Sequence, residues 1–171
     1  MRIAVLLSLT VVAAAPACSN ATSSDDVGAD VDARAAIDAA DGRCPLAVNE
    51  IAAAGRPDDW FELVNVSANP VDLGGFMFID QADDPALAAP LLATVLAPGG
   101  RHVQTVIDAD QGFQLGAADA LWLYRVGTTV HCDGVAWRDG DAPSGGSYAR
   151  VPDGTGPFET TEPDTRGVPN R

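Results

Sequence analysis

The run Asp59-Trp60-Phe61-Glu62-Leu63-Val64-Asn65-Val66 (DWFELVNV) decides the fold class. Its aromatic and branched side chains recur with a period of two, the spacing of a pleated strand rather than a helical turn. Phe61 and Leu63 fall on one face and Glu62 on the other. The flanking chain reads alike. Residues 44–54 (CPLAVNEIAAA) predict a first strand. Asn65, Ser67 and Asn69-Pro70 predict a turn, since an Asn side chain can bond backbone amides where a strand ends. Residues 76–80 (FMFID) place Phe76 and Phe78 on one face, and residues 81–90 read as an Ala/Asp/Pro-rich loop. Residues 91–96 end at the strong turn signal Ala97-Pro98-Gly99-Gly100. Residues 101–107 (RHVQTVI) alternate again, and 113–115 give a short strand piece. Residues 120–126 (ALWLYRV) and 129–137 (TVHCDGVAW) flank Gly127-Thr128, the best hairpin candidate. The last 34 residues are rich in Gly and Pro, with residues 147–151 as an edge strand. Seven to nine short strands at this spacing predict an all-β sandwich. Its core is expected from Phe61, Leu63, Phe76, Phe78, Leu121 and Leu123. Gly74-Gly75 and Gly99-Gly100 are read as positions of positive φ where strands cross between sheets. Trp60 and Trp122 are read as half-buried lids, the alternative being an exposed aromatic patch for a ligand.

The N-terminus has a different character. Arg2 precedes the apolar run at residues 3–13 (IAVLLSLTVVA), the length of a signal-peptide core and too short to span a bilayer. Ala15-Pro16-Ala17 and then Cys18 follow. Small residues suit the narrow cleft of a signal peptidase. A cysteine directly after them resembles the lipobox of bacterial lipoproteins, although Ala15 and Pro16 depart from its preferred residues. That resemblance implies residues 1–17 as the signal peptide and Cys18 as the lipidated residue, inserted in the cell envelope and, from Ser19, in the outer membrane. The alternative is secretory cleavage that leaves Cys18 unmodified. Each buried acyl methylene adds about 0.8 kcal/mol of membrane affinity. Residues 18–43 carry six Asp, two Arg and no aromatic residue, so they offer no core to offset the ordering entropy. They are read as a disordered acidic tether, a spacer or a bare linker.

Residues 44–171 suit one domain with 18 acids against seven Arg, a net charge of −11 with His neutral. The whole chain has no Lys. Such a surface is repelled by phosphate backbones, which argues against nucleic acid as a partner.

Several ordered motifs resemble the lamin-tail domain of secreted bacterial proteins. They are Asn49-Glu50-Ile51, residues 59–65, Val71-Asp72-Leu73-Gly74-Gly75-Phe76 and Leu96-Ala97-Pro98-Gly99-Gly100. Phe113-Gln114-Leu115-Gly116, Leu121-Trp122-Leu123, Ser147-Tyr148-Ala149-Arg150 and residues 153–158 continue the order. The resemblance covers nearly all of residues 46–171. It implies an immunoglobulin-like β-sandwich and a non-catalytic accessory module on an exported protein, binding or scaffolding protein or glycan partners. Roles in nuclear filaments do not transfer, because the coiled-coil rod is absent from this sequence.

Cys44 and Cys132 lie 88 positions apart in a chain read as exported, and are expected to form a disulfide, the alternative being two buried thiols. The bridge would pin the first strand to the hairpin strand that holds His131. A metal centre is not expected: no C-x-x-C occurs, and His102 has no evident partner. Asp108-Ala109-Asp110-Gln111-Gly112 faintly resembles a calcium loop, which makes Asp108 and Asp110 candidate ligands for weak calcium binding and a calcium-assisted adhesion domain the alternative function. The loop lacks the Gly and the terminal Glu of an EF-hand, where Phe113 and Asp119 stand. A cryptic hydrolase is the third reading. Its only candidate bases are His102 and His131, and Ser144 sits in Ala-Pro-Ser-Gly-Gly rather than G-x-S-x-G. The paired acids Asp58-Asp59 and Asp83-Asp84 are read as solvated loop carboxylates. The chain is therefore expected to be no enzyme and to need no cofactor.

Overall fold

A computed structural model describes residues 42–171. The expected signal peptide, the lipidation expected at Cys18 and the expected tether as far as residue 41 lie outside the described residues. Eleven strands follow in order: β1 (Leu46–Ala52), β2 (Asp59–Asn65), β3 (Val71–Asp72), β4 (Phe76–Ile79), β5 (Ala89–Pro90), β6 (Val95–Leu96), β7 (Arg101–Val106), β8 (Asp119–Arg125), β9 (His131–Trp137), β10 (Ser147–Arg150) and β11 (Phe158–Thr161). Leu73–Gly75 is a 3-10 turn, and Asp108–Gln111 is a one-turn helix, α1. One sheet runs β11-β10-β1-β2-β7, the other β5-β4-β8-β9, and β3 pairs with β6. Every strand pair is antiparallel. The two large sheets bury apolar faces against each other, so the chain is an all-β sandwich.

All six expected core residues lie in that interior. The Phe61 and Phe78 rings meet edge to face at 4.9 Å, and Phe113 adds to Phe78 at 5.7 Å. Fully burying one such side chain contributes roughly 1.5–3 kcal/mol. Asn65 does what its place in the sequence predicts. Its Oδ1 accepts from the Ser67 amide at 2.9 Å, while its Nδ2 donates to the carbonyls of Leu96 and Asn69.

Some expectations fail. Residues 113–115 form no strand, and residues 91–96 divide between a coil and the two residues of β6. Residues 147–150 form β10, which is not an edge strand, because β11 pairs along its outer side. Of the four turn glycines only Gly99 has positive φ, +70°. Gly100 is needed for space instead, because a Cβ there would lie 2.8 Å from the Ala97 carbonyl oxygen.

The larger departure is a third layer. A register shift between Val48 and Glu50 inserts an extra residue in β1. Leu46, Val48 and Ile51 all reach the core as a result, and Asn49 and Glu50 are left to the opposite face. That face, shared with Trp60, Glu62 and Val64, is covered by the chain after β10. The Thr165 amide donates to Glu50 at 2.7 Å and the Gly167 amide to Glu62 at 2.9 Å. Asn170 donates to the carbonyls of Asn49 and Arg150 and to the Asp153 carboxylate. Arg166 lies over the Trp60 ring at 5.3 Å. Trp60 is thus 1% exposed, a buried residue rather than a half-buried lid. Burial pushes the Glu62 carboxyl above its ordinary value of 4.5, against hydrogen bonds from Asn49 and Gly167 and the Arg101 charge.

Candidate functional site

The β8–β9 hairpin organises the candidate site. Gly127 turns the chain at φ +79°, and the Thr128 hydroxyl donates to the Arg125 carbonyl at 2.9 Å. Pairing then runs from Leu123 opposite Asp133 to Tyr124 opposite His131, which makes Cys132 an extra residue in β9. This bulge resets the alternation. Cys132 packs toward the core and is bonded to Cys44, with Cα atoms 5.0 Å apart. The bridge ties the chain just ahead of β1 to the outer strand of the opposite sheet. Beside it, the Asp133 carboxylate accepts from the Val48 amide at 2.8 Å, and Arg150 Nε donates to the Val48 carbonyl at 2.8 Å. Those two side chains bond the backbone of β1 where β10 no longer reaches it.

The same bulge puts His131 on the outer face of the four-stranded sheet, with Trp122 and Tyr124. The Trp122 and His131 rings stack 4.4 Å apart and 3° from parallel. Tyr124 meets His131 edge-on at 5.0 Å. Asp83, from the loop between β4 and β5, closes the cluster. Its Oδ1 lies 2.5 Å from His131 Nε2 and also accepts from the Tyr124 hydroxyl. Asp83 is the only non-glycine among the described residues with positive φ, 52°, a conformation that Asp tolerates better than most. The Tyr124 hydroxyl and the His131 ring hold the Asp83 carboxyl below the ordinary 3.8. Burial and then the Asp83 hydrogen bond push the Tyr124 phenol up to about 12. A neutral phenol that stays protonated is favoured in the folded chain, so this contribution is complete below pH 10 and is lost as pH rises toward 12. An Asp83→Asn variant is expected to ionise Tyr124 at lower pH, read by phenolate absorbance. An unchanged titration would show that Asp83 does not act on the phenol.

Trp122 rests on a glycine. It pairs with Gly134, and a Cβ at Gly134 would come 2.4 Å from its ring. Gly134→Ala is expected to lift the indole and break the stack, with an overpacking cost of about 1–3 kcal/mol. The loss of ring-current shifts at His131 in NMR spectra would report the change, and unshifted His131 resonances would contradict it.

The other candidates are scattered. His102 lies on β7, with Gln104 Oε1 3.4 Å from its Nε2. Ser144 is exposed in the loop before β10, on the other sheet. Among the described residues the His131 ring hydrogen-bonds Asp83, which also accepts from the Tyr124 hydroxyl. Asp108 and Asp110 belong to α1, where residues two apart do not face each other. No group of three His, Cys, Asp or Glu among the described residues could hold a metal ion, and no described helix is long and apolar enough to cross a membrane. Sequence reasoning found His131 but missed its partner, because Asp83-Asp84 reads as a solvated pair. Glu50 and Glu62 were equally silent. A carboxylate in a strongly apolar run was the available signal. No protein-family model, curated protein or solved structure matches the chain.

Proposed function

We propose that this chain is a cell-envelope lipoprotein, anchored through Cys18 and carried on the acidic tether, that displays a non-catalytic binding module for protein or glycan partners. The lamin-tail resemblance and the N-terminal motif support that reading. The observation that carries the binding role is the Trp122–His131 stack, fixed by Asp83 on the outer face of a disulfide-braced sheet. Aromatic rings supply large contact area at low cost in rotamer freedom, which is why ligands and partners favour them. The half-buried Trp122 and exposed His131 leave ring surface for that contact.

Two measurements test the reading. Labelling with a palmitate analogue should mark the wild type and spare Cys18→Ala, and equal labelling of both would remove the anchor. Binding of the full-length chain to an array of pyranose glycans and to purified envelope proteins should be lost in Trp122→Ala. Retention of every contact by that variant would move the ligand surface elsewhere.

A further inference from the structure

The described domain is strongly acidic, yet one half-buried arginine makes no ion pair among the described residues. Arg101 pairs with Glu62 and Asp153, and Arg150 with Asp133. Arg125 forms no ion pair among the described residues. Its guanidinium lies 5.6 Å from the centre of the Phe76 ring and donates through Nη2 to the Arg43 carbonyl at 2.9 Å. Between Arg125 and His131 lies a cleft of about 180 Å³, with Thr128 and the Cys44–Cys132 bridge also in its wall; no carboxylate is among its described lining residues, and Asp83 is held by His131. A second hollow touches Arg125 from the other side, but Asp72 lines it. An anion is therefore favoured in the first cleft and opposed in the second. Eighteen acids against seven arginines make a half-buried arginine without an ion pair among the described residues unusual for this domain.

We infer that this cleft binds the anionic group of an acidic sugar, a carboxylate or a sulfate. A guanidinium presents paired donors that can meet two oxygens of a carboxylate or a sulfate. The volume decides what enters. At about 180 Å³ the cleft is smaller than the roughly 300–1,000 Å³ of whole-ligand pockets, so it admits the charged substituent and leaves the sugar ring outside. His131 lines the cleft and also stacks on Trp122, so the ring of the sugar is placed against the aromatic pair. The inference rests on reading the Trp122–His131 patch as a ligand surface, and it names the ligand as an acidic glycan.

The test uses the full-length chain, with glucuronate, glucose and inorganic sulfate as probes in calorimetry at ionic strength matched with chloride. Glucuronate should bind at least about tenfold more tightly than glucose, the equivalent of one charge-assisted contact worth about 1.4 kcal/mol. Arg125→Gln should remove that preference. Arg125→Lys keeps the charge and the aliphatic stem, and should retain a reduced preference because it lacks the fork, so misfolding is distinguished from loss of the site. Exposed Arg138→Gln should change nothing. Sulfate binding that needs Arg125 and ignores Trp122→Ala would uphold the cleft while removing the aromatic surface. Equal affinity for glucuronate and glucose, or a preference that survives Arg125→Gln, would overturn the inference.

Discussion

Replacing Cys44 and Cys132 together with Ser is expected to cost the fold on the order of 4 kcal/mol, because the bond closes a loop 88 residues long in the unfolded chain. For a domain of this size that corresponds to a fall in Tm of roughly 15 °C. The local structure points the same way. Without the bond, the bulged end of β9 would be held to β1 mainly by Asp133 and the Val48 amide. Urea unfolding followed by tryptophan fluorescence, with and without reductant, measures the difference. A midpoint that does not respond to reductant, or native material whose two cysteines both alkylate, would refute the bridge. Because His131 adjoins Cys132, reduction should also loosen its stack on Trp122.

Deleting residues 164–171 is expected to destabilise the domain by at least about 4 kcal/mol. The deletion takes the Thr165 amide from Glu50, the Gly167 amide from Glu62 and the Asn170 amide from Asp153. Hydrogen bonds to charged groups contribute about 1.5–3 kcal/mol each, and Ser147 and Asn49 would remain as donors to Glu50 and Glu62. Water would reach Trp60, so its emission should shift to longer wavelength. Wild-type stability in the shortened chain would mean that the third layer carries no folding energy. Glu62 adds a pH signature. Its folded value is raised above 4.5 by burial, so ionisation costs the native state. That cost is absent below 4.5 and complete once pH has passed the raised value, so this residue's contribution falls as pH rises. Glu62→Gln cannot ionise and should flatten that part of the pH profile in denaturant titrations. An identical slope in both proteins would assign the pH dependence to other groups.

Some of this molecule could be read in one dimension. The alternation at Phe61 and Leu63, at Phe76 and Phe78 and at Leu121 and Leu123 identified the strands and the core, because a strand's side-chain period is local. Asn65 and Gly127 identified turns for the same reason, since each acts within a few residues of itself. Cys44 and Cys132 were expected to pair, with two buried thiols as the alternative, and the structure bonds them. Tertiary structure decided the rest. Single extra residues in β1 and β9 reverse the facing of everything beyond them, and nothing in the local pattern marks Asn49 or Cys132 as the bulge. Glu50 and Glu62 become interior residues only when a segment more than a hundred positions later folds over them. Asp83 meets His131 across 48 positions, through a left-handed residue in a loop. Periodicity reports which side of a strand a residue takes, while what lies on that side depends on contacts between distant parts of the chain.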